Sequence, residues 1–192
     1  MRASRAWLVP AAILVAVAAG CSNTVVNTGE KAEQTEAPPP AAPTRPSNDK
    51  LVNAFDFFAD TAIGDGGYYF ISPSGAWRCV IVARMWAGCQ SAGGSLGIAG
   101  APRSVTDDRG QAAPPNAIVV RYQGDPQFAA VPADAFKPAS GPAKTLPLNK
   151  ILAAAGFRCN AQDAGISCMS EQTDKGFTFS AGGAGWQYTD LP

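Results

Sequence analysis

Two stretches of this chain echo each other, and together they constrain the fold more than anything else in it. Ala76-Trp77-Arg78-Cys79 is followed by Cys89, and Gly156-Phe157-Arg158-Cys159 is followed by Cys168. Each carries an aromatic residue, an arginine, a cysteine and, after a reversal, a second cysteine. In the second stretch a two-residue reversal at Asp163-Ala164 pairs Gln162 with Gly165 and, counted outward, Cys159 with Cys168. In the first, a reversal centred on Arg84 sets Cys79 opposite Cys89 in the same way. Directly opposed residues of antiparallel strands have Cα atoms about 4.5–5.5 Å apart, within reach of a disulfide. The expected bridges are therefore Cys79 to Cys89 and Cys159 to Cys168, with a structural role; the rival pairing joins the two stretches across the domain. A zinc site is not expected, because neither pair has the close spacing of a zinc knuckle and the chain has no histidine.

The fifth cysteine, Cys21, has a different context. Arg2 and Arg5 precede an apolar run from Trp7 to Ala19, and Val17-Ala18-Ala19-Gly20 then leads into Cys21. Charge, apolar core and small residues in that order make an export signal. The run is shorter than the roughly 20 residues that a membrane span needs. Small residues before a cysteine resemble the lipobox of bacterial lipoproteins, in which the thiol is acylated and the chain is cut just before it; Ala18 stands where a leucine is usual. Residues 1–20 are thus expected to be a lipoprotein signal peptide, with Cys21 the lipidated (palmitate-type) first residue of an exported protein on the outer face of the cell membrane. The alternative is a soluble secreted protein cut at the same place. In either case the four remaining cysteines reach a compartment that permits disulfides.

Residues 21–47 form a tether, polar at first and then proline-rich over Ala37 to Pro43, with no apolar face to fold around. Residues 48–192 are the size of one domain. Removing Arg2 and Arg5 leaves 13 basic against 15 acidic residues. With no basic stripe, a nucleic-acid partner is not expected. The domain should begin with a helix, since Ser47 or Asn48 can cap it and Leu51, Phe55 and Phe58 recur at helical spacing, and Gly64, Gly66 and Gly67 should end it. Thereafter the period is that of strands: Tyr68 to Ile71, Ala76 to Ala83, Trp86 to Gln90, Ala117 to Tyr122, Phe128 to Val131, Ile151-Leu152, Phe157 to Gln162, Ile166 to Ser170, Phe177 to Ser180 and Trp186 to Tyr188. Ser72-Pro73-Ser74-Gly75 has Pro and Gly where a type I turn wants them. Residues 91–116 read as a long surface excursion, and the prolines of 132–147 exclude an interior strand or a long helix. The expected fold is mainly β, a compact antiparallel sandwich or barrel-like sheet with one N-terminal helix.

Phe70-Ile71-Ser72-Pro73-Ser74-Gly75, Cys79, Cys89, then Gly165-Ile166-Ser167-Cys168 and Lys175-Gly176-Phe177 resemble a family of small exported actinobacterial domains, often lipoproteins, with no assigned function. Asp174 stands where that pattern has glycine, and the match covers less than half of the domain. The resemblance implies an all-β fold and an envelope location, and it carries over no active site.

Chemistry is thinly signalled. Without histidine the commonest general base is missing and a Ser-His-Asp triad is excluded. Ser47-Asn48-Asp49-Lys50 has the Ser-x-x-Lys spacing but not the companion motifs of penicillin-binding enzymes. Gly94, Gly97 and Gly100 lack the form of a phosphate cradle. No cofactor or metal is expected. Asp107, Asp108 and Asp125 are candidates for acid and base, though aspartates in such loops more often close turns. The turn between Cys79 and Cys89 carries Arg84, Met85 and Trp86, a composition suited to partner contact if it projects. The leading expectation is a non-enzymatic, lipid-anchored envelope domain that binds or scaffolds an envelope protein or glycan. The alternative is a carboxylate-dependent envelope hydrolase acting on glycan or peptide.

Overall fold

The computed structural model describes residues 48–60, 66–94 and 96–192. The expected signal peptide 1–20, Cys21, the expected tether through Ser47, and Gly64 lie outside the described residues. Among the described residues the strands are β1 (Phe58–Ala59), β2 (Gly67–Ile71), β3 (Trp77–Val82), β4 (Trp86–Ser91), β5 (Val105–Thr106), β6 (Ala112–Ala113), β7 (Ala117–Arg121), β8 (Gln127–Ala129), β9 (Lys144–Thr145), β10 (Lys150–Ala154), β11 (Phe157–Gln162), β12 (Gly165–Ser170), β13 (Gly176–Ser180) and β14 (Gly183–Gly185). The larger sheet runs β1-β2-β3-β4-β7-β8 and the smaller β10-β11-β12-β13-β14, while β5 and β6 pair by themselves. Pairing is antiparallel except where β9 lies parallel to β2, on the edge it shares with β1. The chain is mainly β, and the sheets do not close into a barrel among the described residues.

Side chains alternate along each strand, so each sheet has two different faces. On the inner faces Phe70, Cys79, Cys89 and Ile118 stand side by side across four strands of the larger sheet. Leu152, Cys159, Cys168 and Phe177 make the matching row across the smaller one. All eight are buried and belong to one core shared by the two sheets. Each row thus has a disulfide at its middle and a large apolar side chain at either end. The bridges join Cys79 to Cys89 and Cys159 to Cys168, with Cα atoms 4.0 and 4.1 Å apart. The registers that deliver them, Val82 opposite Trp86 and Gln162 opposite Gly165, are those counted from the two reversals.

The outer face of the larger sheet has its own apolar cluster, Tyr69, Val80, Ala117 and Val119, covered by Phe136 from a 3-10 turn at Ala133–Phe136. On the outer face of the smaller sheet the polar residues Arg158, Asn160 and Ser167 are buried beside Ile151 and Met169. Arg158 donates to Glu171 and Asn48, and the C-terminal segment covers Asn160 and the Ser167–Thr178 pair. Asn160 donates to Tyr188 Oη and to the Thr189 carbonyl, both at 2.9 Å, and Thr178 Oγ1 donates to the Gln187 carbonyl at 2.9 Å. Burial pushes the Tyr188 phenol pKa well above its ordinary value.

Three expectations are corrected. The N-terminal helix is absent among the described residues; in its place stands a four-residue 3-10 turn, Ala54–Phe57, capped by Asn53 Oδ1 on the Phe55 N–H at 3.2 Å. The reason is competition for backbone groups. On one side Val52 donates to the Ile151 carbonyl and Ile151 to the Lys50 carbonyl. On the other, Phe58 and Ala59 pair with Tyr68 and Gly67, so too little chain is left between the sheet edges for a helix. Residues 91–116 are not wholly a surface excursion, because Leu96 and Ile98 insert into the inter-sheet core and β5–β6 forms a hairpin. Trp186 to Tyr188 is not a strand; the last strand is Gly183–Gly185, and the residues after it carry the polar cover. Asp174 takes φ +57°, the left-handed conformation that a glycine would supply, and aspartate tolerates it better than most residues.

Candidate functional site

The site is built on the outer face of the larger sheet where β4, β7 and β8 lie side by side. Register puts Trp86 directly opposite Arg121 and Val119 directly opposite Gln127. These four form the floor of a cleft of about 420 Å³, within the range of small-ligand sites. One wall is Val105 and Thr106 of β5 with Asp107 and Asp108 of the following turn, and the other is Ala130 to Pro132. Asn116 fixes that second wall as a strand neighbour would, donating to the Val131 carbonyl at 2.7 Å and accepting from the Val131 N–H at 2.9 Å.

The sequence candidates divide clearly. Trp86 is half-buried and meets Phe136 edge-on at 5.5 Å between ring centres, so it belongs partly to the outer-face cluster and partly to the cleft. Arg84 and Met85 form the reversal itself, exposed and outside the cleft; Arg84 has φ +51° and donates its N–H to the Ala155 carbonyl at 3.2 Å. Asp107 and Asp108 both line the cleft, but Asp107 Oδ1 already accepts the N–H groups of Arg109 at 3.0 Å and Gln111 at 2.7 Å. That carboxylate holds the β5–β6 turn closed. Asp125 is elsewhere, in an exposed ion pair with Lys175 at 2.6 Å. Among the described residues no three cysteine or carboxylate side chains are grouped so as to hold a metal ion.

Sequence reasoning does not reach Arg121, Gln127 and Thr106. The signal for Arg121 is its place at the end of β7 opposite Trp86, and it depends on a pairing between strands far apart in the chain. In the cleft a guanidinium, a carboxamide, a hydroxyl and the Asp108 carboxylate stand around an indole. That set offers both donors and acceptors beside one flat apolar surface.

A second cavity of about 380 Å³ lies at the opposite edge of the sheet, lined by Asp56, Phe58, Asp60, Tyr69 and Lys144 among others. The Tyr69 hydroxyl is buried and has no hydrogen-bond partner among the described residues, and burial pushes its pKa up. No family model, no curated protein and no solved structure matches the chain.

Proposed function

We propose that this chain is an exported β-sandwich domain, lipid-anchored through Cys21 after removal of residues 1–20, that binds an envelope glycan in the cleft beside Trp86. The anchor reading is supported by the charge, apolar and small-residue order that ends at Cys21. The observation that carries the binding reading is the direct opposition of Trp86 and Arg121 under a wall that includes Asp108. A sugar ring has an apolar C–H face, which suits an indole, and a rim of hydroxyls, which suits planar donors and acceptors held around that indole. Loss of such side chains from a pocket costs about 1–3 kcal/mol each in binding.

The test uses Arg121→Ala and Asp108→Ala, because both side chains are exposed and neither supports the core. Retention of the Cys21→Ser protein on purified cell-wall sacculi should fall about tenfold in either variant with the melting temperature unchanged. Equal retention of the parent and both variants refutes the cleft as the contact. Trp86→Ala is a poorer first test, since its contact with Phe136 adds a stability cost. The anchor is tested separately: Cys21→Ser should move the protein from membranes to the soluble fraction, and persistence in washed membranes refutes it.

The hydrolase reading keeps one observation in its favour, that Asp107 and Asp108 share the cleft. Binding is preferred because Asp107 is occupied by two backbone N–H groups and Asp125 stands apart with Lys175. Soluble fragments released from sacculi by the parent and not by Asp108→Asn would reverse that preference.

A further inference from the structure

The first residues of the folded domain put large apolar side chains into solvent. Phe55 is 86% exposed, Phe58 49% and Leu51 43%, all within eight consecutive positions. The informative departure from ordinary burial is a cluster of large exposed apolar groups, not a single one. The display is fixed by the backbone. Leu51 is bridged to Ile151 at the edge of the smaller sheet, Phe58 pairs with Tyr68 at the edge of the larger, and the capped turn between them sends Phe57 inward and leaves Phe55 out.

We infer that this edge, Leu51 to Phe58, docks on the phospholipid surface that holds the anchor. The inference rests on the lipoprotein reading of Cys21. Only residues 22–47 separate that cysteine from Asn48, where the described chain begins. A chain of that length reaches at most roughly 90 Å. The edge can therefore touch the bilayer, and the anchor confines it to within that distance of the surface. A weak apolar affinity is enough under that condition.

Charge does not compete with this reading. Asp49, Asp56 and Asp60 are balanced by Lys50, Lys144 and Lys150; Lys144 pairs with Asp56 at 3.4 Å, and Lys50 donates to the Pro192 carbonyl at 2.7 Å. With no basic patch to draw it to anionic headgroups, the edge docks by apolar burial.

The experiment couples the chain beginning at Cys21 to vesicles through that thiol and a maleimide lipid, the other four cysteines being bridged. Anchoring is then independent of acylation in cells. Phe55→Trp is the reporter, and Met85→Trp, an exposed position in the β3–β4 turn, is the reference. On neutral vesicles with brominated acyl chains, the emission added by Phe55→Trp should shift to the blue and be quenched, whereas that added by Met85→Trp should not be. Adding Leu51→Ser and Phe58→Ser should lower the ratio of docked to free protein by about tenfold. Three outcomes overturn the inference: no quenching of the indole at position 55, equal quenching at both positions, or an indole at position 55 already shielded before coupling, which would mean that the tether or a second copy covers the edge. If instead Cys21→Ser remains in washed cell membranes, the anchor reading fails while the vesicle result stands.

Discussion

Replacing Cys79 and Cys89 together by alanine opens a loop that spans 10 residues, and replacing Cys159 and Cys168 opens one that spans 9. Loop-closure entropy at those lengths is worth about 2.7 kcal/mol per bridge at 25 °C. The four sulfurs are buried in one inter-sheet core, so lost packing adds to the closure term. Each double variant should be less stable by about 3–4 kcal/mol and melt about 10 °C lower. Because the loops differ by one residue and both rows are equally buried, the two costs should agree within about 1 kcal/mol. Urea denaturation of the Cys21→Ser protein and of each double variant in that background measures this directly, with the denaturant slope checked for two-state behaviour. Removing all four cysteines should not give the sum, since the two rows face the same core. A loss under about 1 kcal/mol for either pair refutes the reasoning, for it would mean that the unfolded hairpin already holds its ends together.

Three further outcomes follow from local geometry. Gly165 has φ +140°, and a Cβ there would fall on the backbone carbonyl of Phe179; Gly165→Ala should cost about 2–4 kcal/mol by thermal denaturation, and a cost near zero would refute the close approach of β12 to β13. Arg158 is buried, with Nε 3.3 Å from Glu171 Oε1 and Nη2 2.8 Å from Asn48 Oδ1, so Glu171→Gln should cost about 1–2 kcal/mol, discounted because the glutamate is partly exposed; an unchanged urea midpoint would show that the pair contributes nothing. Tyr188 bears on alkaline stability: the unfolded chain ionises it near its ordinary pKa of about 10, the folded chain only at higher pH. Its contribution is complete below the unfolded value and is lost as pH rises through the folded one, so stability should fall above about pH 10 and Tyr188→Phe should flatten that fall. An identical pH profile for the variant would refute this.

The strand and hairpin registers are legible in the sequence because a cysteine is a countable marker and a tight reversal leaves one way to count outward from it. The site is only half legible. Trp86, Asp107 and Asp108 carry recognisable chemistry, but Arg121 and Gln127 join them through sheet neighbours that no local pattern encodes. Leu51, Phe55 and Phe58 have helical spacing without a helix, because the backbone groups that would build it are committed to Ile151 and Tyr68, both beyond the segment itself. Leu96 and Ile98 are hidden by the glycines and serines around them, since two apolar residues set no period. The polar positions of β11 and β12 read as solvent-facing because nothing before Gln187 announces that the chain returns to cover them.

The two disulfide rows also make the protein a reporter of its own opening. All four half-cystines are almost completely shielded, so a thiol reductant meets them only in molecules whose sheets have parted. At low reductant the rate of bridge loss is set by how often that open form is populated, and at high reductant by how fast it forms. Since both rows line one core, a single opening exposes both, and the bridges should disappear together with one rate constant. Whatever shifts the population of the open form, be it a ligand in the cleft or a change of temperature, is then written into the thiol count over time.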